Sequence, residues 1–267
     1  MKREPRSTTA DVAPHRIVLL GASNLTRSIG LVVETARDAW GRPLEVIAAL
    51  GHGRSYGRPS RVFGRELPGI LECGLWDVLA PSPAVPTTAL VTDIGNDLLY
   101  EEPVERIVGW VEASLDRLAA AGARTVVTLL PIDNLQSISR LRFTLMRTLL
   151  VPGSRIALEE LIVRAHNLNE YVRYLAAERG FGIVPQRAAW YGIDPVHIKS
   201  SQRSLAWGEI LSFWRESPGR AEVRRASLFS TIYLRSRVPH RRRVLGFEQR
   251  GRQPAGRLSD GTTVALY

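Results

Sequence analysis

Short, mainly apolar runs alternate along the chain with longer stretches in which apolar residues recur every three or four positions. Ile17-Val18-Leu19-Leu20, ending in Gly21, is the first such run and has the pattern of a strand buried on both faces. Ile29, Val32, Val33, Ala36 and Trp40 then recur at helical spacing until Gly41-Arg42-Pro43 stops them. Further strands are predicted over residues 44–50, over 88–92 after a Pro-rich linker, and over 125–130, closed by Pro131. Between the last two, a helix carries Ile107, Val108, Val111, Leu115 and Leu118 on one face and ends at Gly122. Residues 59–80 read as one or two short helical pieces, interrupted by Pro68 and Gly74. A helix over 142–150 and a longer one from Pro152-Gly153-Ser154 to Gly180 precede a fifth strand, Gly182-Ile183-Val184. The last helix is expected to begin near Ser201.

Five alternations of strand and helix predict a parallel, flavodoxin-like five-stranded sheet between two helical layers, a three-layer α/β/α sandwich. In such a sheet the reactive groups gather at the carboxyl ends of the strands. A length of 267 residues accommodates one domain of this kind with an appendage. Residues 1–14 read as a disordered lead-in, 15–218 as the α/β domain and 219–267 as a basic C-terminal extension.

Composition is that of an ordinary globular protein, 45% hydrophobic and 23% charged. No apolar run reaches signal-peptide or membrane-spanning length, and a lone cysteine, Cys73, can form no internal disulfide. These features predict a cytoplasmic protein without a membrane span. The net charge of +10 is unevenly placed. From Arg220 onward eleven arginines face only Glu222, Glu248 and Asp260, a local +8, so the preceding 219 residues carry about +2. Arg241-Arg242-Arg243 and its neighbours suit nucleic acid, anionic lipid or an acidic substrate. The favoured reading is a solvated extension that packs on the domain, with a strand over residues 227–234 and a β-prone end at Thr262 to Tyr267. A chain ending near Pro218 is expected to keep the activity of the α/β domain within about tenfold of the full chain, provided the domain stays folded.

Four segments fall at strand ends: Gly21-Ala22-Ser23-Asn24-Leu25, Gly51-His52-Gly53-Arg54-Ser55, Asp93-Ile94-Gly95-Asn96-Asp97 and Asp194-Pro195-Val196-His197. A serine hydroxyl needs an adjacent base to act as nucleophile, and a neutral histidine supplies one. Asp194, three residues before His197, can reach the ring's other nitrogen through one tight turn and set its tautomer. Taken singly, each residue has a plainer reading. Ser23 fits a helix N-cap, Asn96 and Asp97 fit Asx turns, and the glycines fit positive φ.

Together and in this order, the four segments resemble the blocks of the SGNH hydrolases, the GDSL-like lipases and esterases, over about residues 16–214. The resemblance implies an ester hydrolase, or an acyltransferase sharing its acyl-enzyme, acting on a small-molecule ester. It implies Ser23 as nucleophile, His197 as base and Asp194 as the group orienting that base. It also implies an oxyanion hole from the N–H groups of Ser23 and Gly53 and the amide of Asn96, with Gly51 competing for the place of Gly53. The chain departs from the family pattern at several positions. Ala22 stands where the family has Asp, Leu25 where it has a small polar residue, Ile94 where it has Gly, and Ile198 where Pro is frequent. A contrasting reading is a non-catalytic domain of the same type that binds an anionic polymer through its basic tail. No cofactor is implied, because Gly51-x-Gly53-x-x-x-Gly57 lacks dinucleotide spacing. No metal is implied either, since His52 and His166 lack accompanying ligands. Trp190 and Tyr191 are equally suited to an acyl pocket and to the core.

Overall fold

The computed structural model describes residues 15–62, 64–79, 85–192, 194–214 and 227–267; the lead-in expected over residues 1–14 lies outside them. The first half comprises β1 (His15–Leu20), α1 (Ser23–Trp40), β2 (Leu44–Ala49), β3 (Ser60–Val62), β4 (Arg65–Leu67), α2 (Leu75–Leu79), β5 (Thr87–Val91), α3 (Asn96–Leu99) and α4 (Val104–Ala120). It continues with β6 (Arg124–Thr128), α5 (Ile132–Gln136), α6 (Arg140–Leu150), α7 (Leu158–Arg179), β7 (Gly182–Val184) and α8 (Arg203–Ser212). The described part of the C-terminal segment adds α9 (Leu228–Ser236), β8 (Arg241–Val244), β9 (Phe247–Arg250), β10 (Gly256–Arg257) and β11 (Thr263–Leu266).

The five expected strands form a parallel array in the order β2-β1-β5-β6-β7. Their runs are largely apolar because both faces are covered. Ile17 and Leu19 of β1 enter one core with α1, α8 and α9, while Val18 and Leu20 enter the other with α4 and α7. Strand order reverses between β1 and β5, whose ends are paired at Leu20 and Val91. The loops after these two strands therefore diverge around one crevice, the place where open α/β sheets bind ligands. Among the described residues no helix is long and apolar enough to cross a membrane.

The segment from 219 onward supplies two further strands of the same sheet. β11 pairs parallel with β2 through Thr263↔Glu45 to Leu266↔Ala48, and β10 closes that edge antiparallel, giving seven strands. Arg54, fully buried, donates to the Tyr267 carbonyl and to the Leu50 and Pro68 carbonyls, tying the chain end to the loop after β2.

Two local expectations change. The strand expected over residues 227–234 is helix α9. Ser227 caps it by accepting from the Ser230 N–H at 3.0 Å, and Leu234 buries on the α1 side while Phe229 stays exposed. Gly30 makes that packing possible, since a Cβ there would stand 2.5 Å from Thr231 Oγ1 and 3.1 Å from Thr231 Cα. Contact with α1 overrides the β-propensity of the segment. The short helical pieces expected over residues 59–80 are confined to the second half of that span, the single turn Ile70–Glu72 and α2, while Ser60–Val62 and Arg65–Leu67 are strands. They form the β3–β4 hairpin, which pairs with β8 in a small antiparallel sheet ordered β3-β4-β8-β9. The partner strand lies some 180 residues away, out of reach of any local pattern.

Candidate active site

Ser23 is the first residue of α1, and Ala22 occupies the N-cap position without a side-chain bond to the helix. The cap comes instead from the neighbouring strand end. Asp93 Oδ2 accepts from the N–H groups of Ala22 (2.9 Å), Asn24 (3.1 Å) and Leu25 (3.3 Å). Asp93 holds φ at +58°, a left-handed conformation that aspartate tolerates better than most residues. Of the amides in this turn, that of Ser23 is the one Asp93 does not engage.

Asn24 joins the turn to the histidine loop. Its Nδ2 donates to Asp93 Oδ1 (2.9 Å) and to the Val196 carbonyl (3.0 Å), while its Oδ1 accepts from the Ile198 N–H (2.9 Å). Asn134 Nδ2 donates to the Pro195 carbonyl at 2.8 Å and braces the loop from α5. The loop begins two strands away from β5, and these bonds bring it back over the β1 end. There His197 Nε2 lies 2.9 Å from Ser23 Oγ, and His197 Nδ1 lies 2.6 Å from Asp194 Oδ2. Asp194 Oδ1 accepts from the N–H groups of Val196 and His197, which fixes the tight turn. Burial by itself would raise the Asp194 carboxyl, but the His197 ring and these amides outweigh it and hold its pKa below the usual value.

Ser23, His197, Gly53 and Asn96 line one cavity of about 100 Å³, with Arg27, His52 and Tyr100. Gly53 adopts φ +63°, and a Cβ there would come within 2.5 Å of Val62 Cγ2. Tyr100 donates its hydroxyl proton to the Gly53 carbonyl and steadies that turn. Gly51 lines a different, adjoining cavity. Asn96 Nδ2 donates to the Arg54 carbonyl at 3.3 Å, which orients the amide; among the described residues its second N–H has no partner. A second cavity, apolar and about 80 Å³, shares Asn96, Leu99, Leu150 and Val196 with the first and extends to Ile94, Leu130 and Phe143. Tyr191 lines it, whereas Trp190 is core. Among the described residues no group of three or more His, Cys, Asp or Glu side chains is placed to hold a metal ion.

Asp97 is fully buried behind the cavity, with Oδ2 accepting from the Tyr56 N–H at 2.9 Å. It joins the loop after β2 to the loop after β5. Burial pushes its pKa up from 3.8 to about 6, against the opposing bonds from Ser55 and Tyr56. The folded chain thus holds this proton to higher pH than the unfolded chain. Stability is therefore lost as pH rises from the unfolded value through about 6. Asp97→Asn keeps an acceptor for Tyr56 and removes the charge. It is expected to raise the melting temperature at pH 7.5, by up to roughly 3 kcal/mol of stability, with the gain vanishing near pH 4. An equal effect at both pH values would show that the carboxylate is not the cause.

Asp93, Asn24 and Tyr100 were not singled out by sequence reasoning. Ala22 at the N-cap position was the available signal, since an apolar residue there leaves the amides of that turn in need of an acceptor from elsewhere.

No protein-family model matches the chain, and no curated protein matches it. Solved structures similar to it include a psychrotrophic esterase, EstA, from Pseudoalteromonas sp., at 16% identity over 74% of this chain and 97% of that one, with a TM-score of 0.46. A putative acylhydrolase from Bacteroides fragilis is similar at 11% identity over 76% and 89% of the two chains, with a TM-score of 0.47. A member of the lipolytic G-D-S-L family from Veillonella parvula is similar at 15% identity over 74% and 97%, also with a TM-score of 0.47.

Proposed function

We propose that the chain is a serine esterase of the SGNH-hydrolase type, acting on a small or medium acyl ester. The observation that carries this reading is the continuous chain from Ser23 Oγ through His197 to Asp194, opening into a cavity that also holds Gly53 and Asn96. In the first half-reaction Ser23 Oγ bonds to the acyl carbonyl carbon as His197 Nε2 takes its proton. The carbonyl electrons move to oxygen, where the N–H groups of Ser23 and Gly53 and Asn96 Nδ2 stabilise the charge. Collapse breaks the bond to the alcohol, which receives the proton from His197. Water then repeats the sequence on the acyl-enzyme and frees Ser23. Asp194 keeps Nδ1 protonated and stabilises the imidazolium.

The apolar cavity beside Asn96 suits the acyl chain. Labelling with a fluorophosphonate probe tests the nucleophile: the native chain is expected to label and Ser23→Ala not, and equal labelling of both would remove Ser23 from the role. Asn96→Ala is expected to lower kcat by ~10²-fold or more with a smaller change in KM, because the charge it meets develops in the transition state. A rise in KM at constant kcat would make Asn96 a ground-state binding residue instead.

A further inference from the structure

The cavity adjoining the Ser23 site is the larger one, about 320 Å³, and His52 lies on the boundary between the two. Four arginines from three elements and a neighbouring turn line it: Arg65 on β4, Arg235 on α9, Arg237 just after it and Arg242 on β8. No carboxylate lines it among the described residues. Arg27, four residues beyond Ser23, and Arg203 at the start of α8 stand close enough for their charges and that of Arg235 to act on one another.

The lack of acidic partners is local. The small sheet carries opposite characters on its two faces, as the alternation of side chains along a strand dictates. On one face Arg61 and Arg243 both pair with Glu66, and Arg241 pairs with Glu248. Arg65 and Arg242 occupy the intervening positions of β4 and β8 and face the cavity. Arg242 donates to the neutral Gln249 at 2.9 Å, and Arg235 to the Thr26 carbonyl at 3.4 Å. Among the described residues, Arg27, Arg65, Arg203, Arg235 and Arg242 make no ion pair with a carboxylate. Burial and this mutual repulsion lower the pKa of Arg203 and Arg242, and that of His52, with burial the larger cause in each. Like charges gathered from separate elements around a concave site destabilise the empty fold, and a bound anion relieves them. Guanidinium groups bind phosphate, like carboxylate, through paired N–H donors, and a phosphate's double charge and three free oxygens let it meet several arginines at once.

Resting on the esterase reading above, we propose that the substrate is an acyl ester whose alcohol portion carries a phosphate group, held by Arg65, Arg235 and Arg242 while the acyl group lies at Ser23. The two cavities meet at His52, so the ester bond lies between an apolar acyl side and a basic alcohol side. The phosphate takes no part in the bond changes; it positions the ester and leaves with the alcohol.

The test uses the full chain and a matched pair of esters, 1-acetylglycerol and 1-acetylglycerol 3-phosphate. At low salt the phosphorylated ester is expected to have a kcat/KM at least ~tenfold higher, mainly through KM, with the advantage shrinking as salt rises. In Arg235→Gln/Arg242→Gln the ratio of the two kcat/KM values should fall to near one, while Arg241→Gln, on the paired face, should keep the native ratio. A native ratio near one, or a ratio unchanged in the double variant with native circular dichroism, would overturn the proposal. Comparing acetyl with lauroyl chains on the same glycerol phosphate separates the sources, since a soluble ester favours the first and a lipid the second. Calorimetric binding of both acetyl esters to Ser23→Ala gives a readout independent of turnover. Tighter binding of the phosphorylated ester there would uphold the anion site even if the native chain proved inactive, which would sink only the esterase reading. Equal binding of the two would overturn the site.

Discussion

Ser23→Ala is expected to lower kcat on a small ester by ~10³-fold or more while leaving the melting temperature within a few degrees of the native value. The Ser23 hydroxyl is buried, and its hydrogen bond goes to His197 Nε2. The turn holding it is secured by other groups, since Asp93 caps the neighbouring amides and Asn24 bonds the histidine loop. Removing the hydroxyl therefore deletes the proposed nucleophile without loosening its support. Some rate above the uncatalysed reaction should survive, because the oxyanion donors and the binding cavities remain. Steady-state kinetics on purified protein, run beside a thermal melt, measure both quantities. Near-native turnover from a folded variant would remove Ser23 from the mechanism.

A chain ending at Pro218 is expected to lose its folded state at 37 °C, contrary to the expectation drawn from charge and pattern. Truncation strips β11 from the β2 edge and exposes a row of unpaired backbone groups there. It also removes the buried side chains of Leu234, Val264 and Leu266. At roughly 1.5–3 kcal/mol for each, these losses rival the 5–15 kcal/mol of a typical domain. Arg54 would lose the Tyr267 carbonyl and keep a buried charge with fewer acceptors, a further ~1–3 kcal/mol. Circular dichroism and a melt of the truncated chain decide the matter; a stable fold with native-like melting would show that these contacts contribute little.

The parallel array was legible because its signals are local. Ile17 to Leu20 is wholly apolar and the four later runs are largely so, broken by Glu45 and a few threonines, without the strict alternation of a strand covered on one face. Gly41-Arg42-Pro43 and Gly180 end their helices by backbone geometry alone. Ser23, Asp194 and His197 were nameable for a related reason, while Gly53 and Asn96 were named from the resemblance of their segments to the SGNH blocks. Each sits just past a strand or in a short loop, and chain order along an α/β sheet predicts that such positions share one edge. The spacing of Asp194 and His197 was enough to anticipate their contact, since a three-residue turn spans it.

What the tertiary structure decided depended on partners far away in the chain. Arg65–Leu67 pairs as a strand with β8 on one side and Ser60–Val62 on the other, and residues 228–236 coil as a helix because α1 offers a groove at Gly30. Nothing in either segment's own pattern contains its partner. Asp93 as the cap for Ala22, Asn24 and Leu25 likewise follows from the adjacency of the β1 and β5 ends, which the strand order creates. The charge of the C-terminal segment shows the same division. Its arginines are countable in the sequence, but the side-chain alternation of β8 and the position of α9 decide their surroundings. Arg241 and Arg243 meet carboxylates, while Arg235 and Arg242 gather around an unneutralised cavity beside the Ser23 site. Sequence determines what each residue can do by its chemistry and its near neighbours. Proximity between distant residues is set by packing the whole chain, because contact energies act over a few ångströms of space whatever the separation along the backbone.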